Sequence, residues 1–201
     1  MSAATVHIVD DDEWFLRAVT RLLRASGFEV KTFVSAADFL AQPLQRARGC
    51  IISDLQMPEM NGLAFQEALT HASYTMPVIF LTGNGDIPST VSAMKQGAVD
   101  FLEKRAPKEM LFDAVSRAFA RDELEHGRRV LQSEARARFA SLSDREKEVL
   151  AEVVRGKMNK EIATDLGIHE RTVKLHRTAI TTKLQVQSVA ELTRLWMLIG
   201  G

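Results

Sequence analysis

Four short apolar runs in the first half of this chain each deliver a polar group at their carboxyl end, and that repetition constrains the fold more than any other feature. Val6-His7-Ile8-Val9 runs into Asp10-Asp11-Asp12, and Cys50-Ile51-Ile52-Ser53 runs into Asp54. Val78-Ile79-Phe80-Leu81 ends on Thr82, and Ala98-Val99-Asp100-Phe101-Leu102 is followed two residues later by Lys104. Short apolar runs bounded by turn residues read as buried strands. In an open parallel sheet the carboxyl edge is where ligands bind. An acidic cluster, a single Asp, a hydroxyl and a Lys on that edge describe a site for a divalent cation and a phosphoryl group.

The segments between these runs have helical periodicity. Glu13 to Ser26 places Phe15, Val19, Leu22 and Leu23 at helical spacing before Gly27, the pattern of an amphipathic helix with its stop. Glu29 to Phe33 reads as a further strand and Ser35 to Leu40 as a short helix. Pro58, Asn61 and Gly62 form a loop before a helix over 62–70. Asp86 is a candidate cap for a helix over 87–96, with Pro88 in its first turn, where proline is tolerated. Gly97 ends that helix, and Pro107 opens a last one running to at least Ala120. Five strand–helix alternations predict an α/β fold with a five-stranded, doubly wound parallel sheet.

Composition restricts the alternatives. The apolar share is 46% and the charged share 26%, ordinary values for a folded globular chain. No apolar stretch approaches the ~18 residues of a membrane span. Met1 to Thr5 has neither the basic nor the apolar region of a signal peptide. Together with a single cysteine, Cys50, this predicts a cytoplasmic location. Cys50 lies in an apolar run and reads as a buried thiol. Met57, Met60, Met94 and Met110 read as packing residues, and His7, His71 and His126 as structural or solvent-facing. No Cys/His cluster supports a zinc site.

The net charge of zero conceals an asymmetry. Residues 1–120 hold 11 Lys and Arg against 14 Asp and Glu, whereas residues 121–201 hold 15 against 12. From Arg171 to Ala190 there are four basic residues and no acid, which suits a polyanionic partner. Residues 121–140 are polar and rich in helix formers, with Leu124, Val130, Leu131 and Phe139 as a thin apolar stripe. They read either as a helical linker, with a possible break at Gly127, or as a flexible tether. As a helix they would span ~30 Å at 1.5 Å per residue.

Residues 141–201 predict an all-α domain of four helices. Ser143-Asp144-Arg145-Glu146 is a capping box opening a helix with Val149, Leu150, Val153 and Val154 on one face and Gly156 at its end. Asn159 is the expected cap of a second helix bearing Ile162, Ala163 and Leu166, closed by Gly167. His169 or Glu170 opens a third, from Arg171 to Leu184, and Ser188 caps a fourth extending to about Leu198. Two helices joined by a short Gly-containing turn are a helix-turn-helix, whose later helix enters a DNA major groove. Val173, Ile180 and Leu184 share the inner face of that helix, with Arg171, Lys174, Arg177 and Thr178 opposite.

These residues carry two family resemblances. Val9-Asp10-Asp11-Asp12, Asp54-Leu-Gln-Met-Pro58, Asn61-Gly62, Leu81-Thr-Gly83, Gly97-Ala-Val-Asp-Phe-Leu102 and Lys104, in that order, resemble a response-regulator receiver domain of flavodoxin-like fold over residues 1–120. Leu142 to Leu150, Asn159 to Ala163, Arg171 to Arg177, Lys183-Leu184, Ser188 and Ala190-Glu191-Leu192 resemble a LuxR-type helix-turn-helix domain over residues 141–201. Together they resemble a two-component regulator of the FixJ/NarL kind.

The resemblance implies that Asp54 is the phosphoryl acceptor for a sensor histidine kinase. Mg²⁺ would be held by Asp11, by Asp10 through water, by Asp54 and by the backbone carbonyl of Gln56. Thr82 and Lys104 would hold phosphoryl oxygens, and Phe101 would reorient on phosphorylation, its rival reading being a plain core residue. Lys174, Leu175 and Thr178 are implied at base edges, near Arg171, and Lys160, Thr172, His176, Arg177 and Lys183 at phosphates of double-stranded DNA. His176 is equally readable as structural. A homodimer contacting through Val186 and Val189, and engagement of RNA polymerase, complete the implied transcription regulator, which is not an enzyme.

One position departs from the receiver pattern. The proline that usually follows the lysine is replaced by Arg105, so a trans Lys104–Arg105 bond is expected. A regulator of the same fold that is not switched by phosphate is therefore a second reading. A Mg²⁺-dependent phosphohydrolase of the haloacid-dehalogenase type is a third. It usually carries a second Asp two residues after the first, where this chain has Gln56, and it leaves residues 141–198 unexplained.

Overall fold

The computed structural model describes residues 4–83 and 87–200 and divides into two compact units, Met1–Glu125 and His126–Gly201. The first contains β1 (Thr5–Val9), α1 (Glu13–Ala25), β2 (Glu29–Phe33), α2 (Ala36–Leu40), β3 (Gly49–Asp54), α3 (Gly62–His71), β4 (Val78–Thr82), α4 (Ile87–Lys95) and β5 (Asp100–Glu103). The next helix, α5 (Lys108–Ala140), begins in this unit. The strands are parallel in the order β2-β1-β3-β4-β5, so the expected doubly wound sheet forms. The expected Asp86 cap of α4 falls outside the described residues.

Alternation along the strands divides the core into two layers. Val6, Ile8, Cys50, Ile52, Ile79 and Leu81 pack against Leu16, Val19 and Leu23 of α1 and Leu111, Ala114 and Val115 of α5. Val9, Ile51, Val78 and Phe80 pack on the other face against Phe39 of α2, Phe65 and Leu69 of α3 and Ala93 of α4. Every residue of β3 and β4 is buried, as expected of central strands covered on both faces. Burial pushes the Cys50 thiol far above its ordinary pKa, which leaves it protonated and unreactive. His7, 1% exposed, lies between the rings of Phe33 and Phe39.

The helix α1 is capped by Asp12, whose carboxylate accepts the N–H groups of Trp14 and Phe15, satisfying two donors that a helix start leaves open. Gly62 opens α3 directly beneath the Asp54 loop. A Cβ at this position would lie 2.5 Å from the Asp54 carbonyl oxygen and 2.7 Å from the Phe80 ring. The glycine is there because of close approach, since only a residue without a side chain fits.

The second unit contains the later part of α5, then α6 (Asp144–Val154), α7 (Asn159–Leu166), α8 (Glu170–Leu184) and α9 (Val189–Leu198). Phe139, Val149, Leu150, Val153, Ile162, Val173, Ile180, Leu184 and Leu192 form its core. The Ser143 capping box is present, Ser143 N–H donating to Glu146 Oε2 at 2.7 Å and Glu146 N–H to Ser143 Oγ at 3.3 Å. Gly167 turns the chain between α7 and α8 at φ +63.

Several expectations require correction. No break occurs at Gly127, because α5 is continuous through it. Among the apolar residues expected to form the stripe of residues 121–140, only Phe139 is buried, together with Ala135; Leu124, Val130 and Leu131 are exposed. Asn159 is not the cap of α7. Met158 occupies that position, its N–H donating to Glu161 Oε2 at 2.6 Å. His169, one of the two expected openers, caps α8, whose first helical residue is Glu170 rather than Arg171. Met57 and Met60 pack in the core, but Met94 and Met110 are about half exposed.

Candidate functional site

The carboxyl edge of the sheet gathers the residues singled out from the sequence. Asp10, Asp11 and Asp54 each place a carboxylate oxygen within 4.8 Å of the others. Asp10 is buried, 1% exposed, Asp54 nearly so at 7%, and Asp11 is exposed. Three carboxylates this close, one of them open to solvent, match the hard oxygen ligands that Mg²⁺ selects. Asp54 is held in one orientation by its own loop. Its Oδ1 accepts the N–H of Leu55 at 2.6 Å and of Gln56 at 3.3 Å, leaving Oδ2 toward the acidic pocket. Gln56 is exposed beside it.

Lys104 supplies the positive charge. Its Nζ lies 2.7 Å from Asp10 Oδ2 and 3.0 Å from Asp54 Oδ2. Burial works against the Lys104 ammonium, but the two carboxylates outweigh it and hold its pKa above the ordinary lysine value. Burial likewise raises the Asp10 carboxyl, with Lys104 opposing it. Neighbouring charge and burial thus pull in opposite directions at both groups.

The backbone explains how Lys104 reaches this position without a following proline. Lys104 N–H donates to the Thr82 carbonyl at 2.8 Å, and Ala106 N–H closes a turn to the Glu103 carbonyl at 2.9 Å. The described residues include no cis peptide, so the Lys104–Arg105 bond is trans, as expected. Thr82 is fully buried at the end of β4. Phe101 is half-buried in β5, its ring 6.2 Å from that of Phe80. Sequence reasoning missed Phe15, over whose ring the Lys104 ammonium sits at 4.4 Å. In the sequence it is only one residue of a helix stripe.

In the second unit, α8 presents Arg171, Lys174, Leu175 and Thr178 to solvent and buries Val173, Ile180 and Leu184. Leu175 is 64% exposed. A shallow groove between α7 and α8 is lined by Lys157, Met158, Asn159, Lys160, Glu170, Lys174 and Arg177. Thr172, His176 and Arg177 are half-buried, and Arg177 is held by Asn159 Oδ1 at 3.1 Å. Lys174 pairs with Glu170 at 3.1 Å on an exposed face. Lys183 stands apart. It pairs with the buried Glu146 at 2.7 Å and, with the Ser143 N–H, holds that carboxyl below its ordinary pKa. The ion pair ties the end of α8 to the start of α6. Val189 is 45% exposed, while Val186 packs partly on the core.

Comparison with known proteins agrees with both halves of this geometry. Residues 6–116 match the response regulator receiver domain, and residues 140–196 match the luxR family of bacterial regulatory proteins. The chain belongs to the response-regulator family. It is 43% identical over 193 residues to the response regulator protein TmoT of Ectopseudomonas mendocina, covering 95% of this chain and 87% of that one. It is 39% identical over 201 residues to the transcriptional regulatory protein FixJ of Rhizobium meliloti, covering 100% and 98%. The structure of the response regulator StyR superposes with a TM-score of 0.84 at 42% identity, over 98% of this chain and 99% of that one. This response regulator is of the FixJ/NarL type, a phosphorylation-controlled transcription regulator with a LuxR-type DNA-binding domain. None of its described helices is long and apolar enough to cross a membrane.

Proposed function

We propose that Asp54 of this regulator accepts a phosphoryl group from a sensor histidine kinase in the cytoplasm and thereby controls binding to promoter DNA as a homodimer. The convergence of Asp10, Asp11, Asp54 and Lys104 at one sheet edge carries this reading. In the transfer, an Asp54 carboxylate oxygen forms a bond to phosphorus as the bond from phosphorus to the donor nitrogen breaks, and the donor imidazole leaves. Backbone N–H groups on Oδ1 fix the carboxylate, so Oδ2 is the attacking oxygen. Asp11, Asp54, the Gln56 carbonyl and, through water, Asp10 would hold Mg²⁺, which would neutralise the charge that builds up between two anionic reactants. Lys104 moves from Asp54 to the new phosphoryl oxygens, following them as a point charge on a flexible stem. Thr82 donates its hydroxyl to the same group, and Phe101 turns in the space between β5 and its neighbours.

Phosphorylation adds about −1.5 to −2 charges at a buried edge. The resulting rearrangement of α4, β5 and α5 changes the surface available for dimerisation. On DNA, Lys174, Leu175 and Thr178 read base edges beside Arg171, while Lys160, Thr172, His176 and Arg177 contact phosphates. Lys183 reaches a phosphate only by sharing its ammonium with Glu146. Val186 and Val189 form the DNA-bound dimer contact, and the bound dimer engages RNA polymerase.

The test is labelling with acetyl phosphate and Mg²⁺. One base-labile acyl phosphate is expected per chain, absent from Asp54→Asn and reduced in Asp11→Ala. Equal labelling of Asp54→Asn sinks the assignment.

A further inference from the structure

Lys104 is enclosed by a closed circuit of contacts that the phosphoacceptor reading does not use. Asp10 Oδ1 accepts the N–H of Asp12 at 2.9 Å. The Asp12 carboxylate accepts the N–H of Phe15 at 3.1 Å. The Phe15 ring packs against the α1 and α5 face of the core and lies 4.4 Å from Lys104 Nζ. Lys104 returns the circuit to Asp10 at 2.7 Å. The cap of α1 thus fixes the backbone of the residue whose ring supports the ammonium.

We propose that Phe15 is a positioning residue for phosphoryl transfer, its aromatic face holding the Lys104 ammonium at the pocket through a cation–π contact. The inference rests on the reading of Lys104 as the group that meets the phosphoryl oxygens. An ammonium within about 6 Å of a ring centroid is attracted by the ring's quadrupole, more strongly when desolvated. Lys104 meets both conditions, since it is about four-fifths buried. The contact has a specific task in this chain. Arg105 follows Lys104 in place of a proline, so the backbone after the lysine is fixed by the turn from the Ala106 N–H to the Glu103 carbonyl and by Ala106 packing on the core rather than by a proline ring. The ring adds restraint at the far end of the side chain. It also gives the ammonium a partner that does not leave when Asp54 is modified, so Lys104 exchanges Asp54 for the phosphoryl oxygens without entering bulk water.

The experiment replaces Phe15 with mono-, di- and trifluorophenylalanine in the full chain, which drains charge from the ring face while nearly preserving its shape. Acetyl phosphate is the donor, so docking of a kinase plays no part. The rate of Asp54 labelling should fall stepwise with fluorination, to a total of about 3- to 30-fold, the range that contacts of this class span. Phe15→Leu should reach the bottom of that series and Phe15→Trp should restore the rate, with melting temperatures unchanged. A second readout needs no phosphorylation. The Lys104 Hε and Hζ proton signals should lie upfield in the unmodified protein and move downfield in Phe15→Leu, as the ring current is lost. A flat labelling rate across the fluorinated series, or Lys104 signals that do not move, overturns the role of Phe15 while labelling at Asp54 persists. Absence of labelling in the unmodified protein is the separate failure of the phosphoacceptor reading, and the inference falls with it.

Discussion

Asp122 offers the most quantitative test of how this receiver unit is built. It is 1% exposed, in a stretch whose sequence is otherwise that of a polar connector. Its Oδ2 accepts from Arg48 Nε at 2.6 Å and from the Gly49 N–H at 3.2 Å. Gly49 begins β3 with φ +125, and a Cβ there would lie 2.0 Å from the Thr5 carbonyl oxygen of β1. One carboxylate therefore anchors the entry of the central strand to α5. Asp122→Ala would leave the Arg48 guanidinium, only 16% exposed, and a buried backbone N–H without their acceptor. Breaking a buried ion pair costs ~3–5 kcal/mol. The residual exposure of Arg48 lets water screen part of this, and its second partner, Glu123 at 2.5 Å, is largely exposed and contributes little. A loss of about 2–4 kcal/mol is expected for unit one. Peptide-resolved hydrogen exchange of the full chain measures it, through peptides from β1 and β3. At 1.4 kcal/mol per tenfold step, their exchange should accelerate by about 30- to 700-fold, while peptides from α6 and α8 stay unchanged. The double variant Arg48→Met, Asp122→Leu should recover the part of the loss that comes from the orphaned guanidinium, because an apolar pair leaves no unpaired charge, while the Gly49 N–H still lacks its acceptor. Acceleration below about twofold in Asp122→Ala would refute the argument.

Three further outcomes follow from the geometry. Gly62→Ala must displace the Asp54 loop, given the 2.5 Å approach to its carbonyl, and should slow acetyl phosphate labelling by about 100-fold, as misplacement of ~1 Å can; Gly127→Ala, where nothing lies within 4 Å, should leave labelling unchanged. Lys174→Ala should relax sequence preference by ~1–3 kcal/mol, and Lys160→Ala should weaken binding to all sequences alike and lower the salt slope by about one phosphate equivalent; unchanged affinity in both variants excludes the proposed face. Burial holds His7 below the ordinary histidine pKa. Its contribution to stability is therefore complete above the unfolded value of about 6.5 and is lost as pH falls, by up to ~1.4 kcal/mol at pH 5.5. His7→Phe should flatten that dependence in unit-one exchange, and an unaltered pH profile would exclude His7 as its source.

The local sequence determined nearly all the elements and the kind of chemistry at the sheet edge. Strands β1, β3 and β4 are largely apolar runs that, with β5, place polar residues at the same edge, and most helix starts carry a side chain that can accept a backbone N–H. Those signals are contiguous or have a fixed period, so they survive without the fold. Asp10, Asp11, Asp54 and Lys104 are therefore legible as a site from the sequence alone. The α7 cap is an exception, as is that of α8, where His169 makes no side-chain cap bond. Met158 has no capping oxygen, so the reading moved to Asn159, whose carbonyl the fold uses for Arg177.

Tertiary structure decided which of several equivalent polar or apolar residues does what. Asp122 sits among charged neighbours of similar helical preference, and only the closure of α5 onto Gly49 distinguishes it. Lys183 belongs to the same basic run as Lys174, but its place on α8 brings it to Glu146, 37 residues earlier in the chain. Phe15 looks like any apolar residue of an amphipathic helix until Lys104 is laid over its ring. The two lie 89 positions apart in the sequence. Each of these partners comes from a distant element, and a contact set by chain folding leaves no periodic trace in either segment.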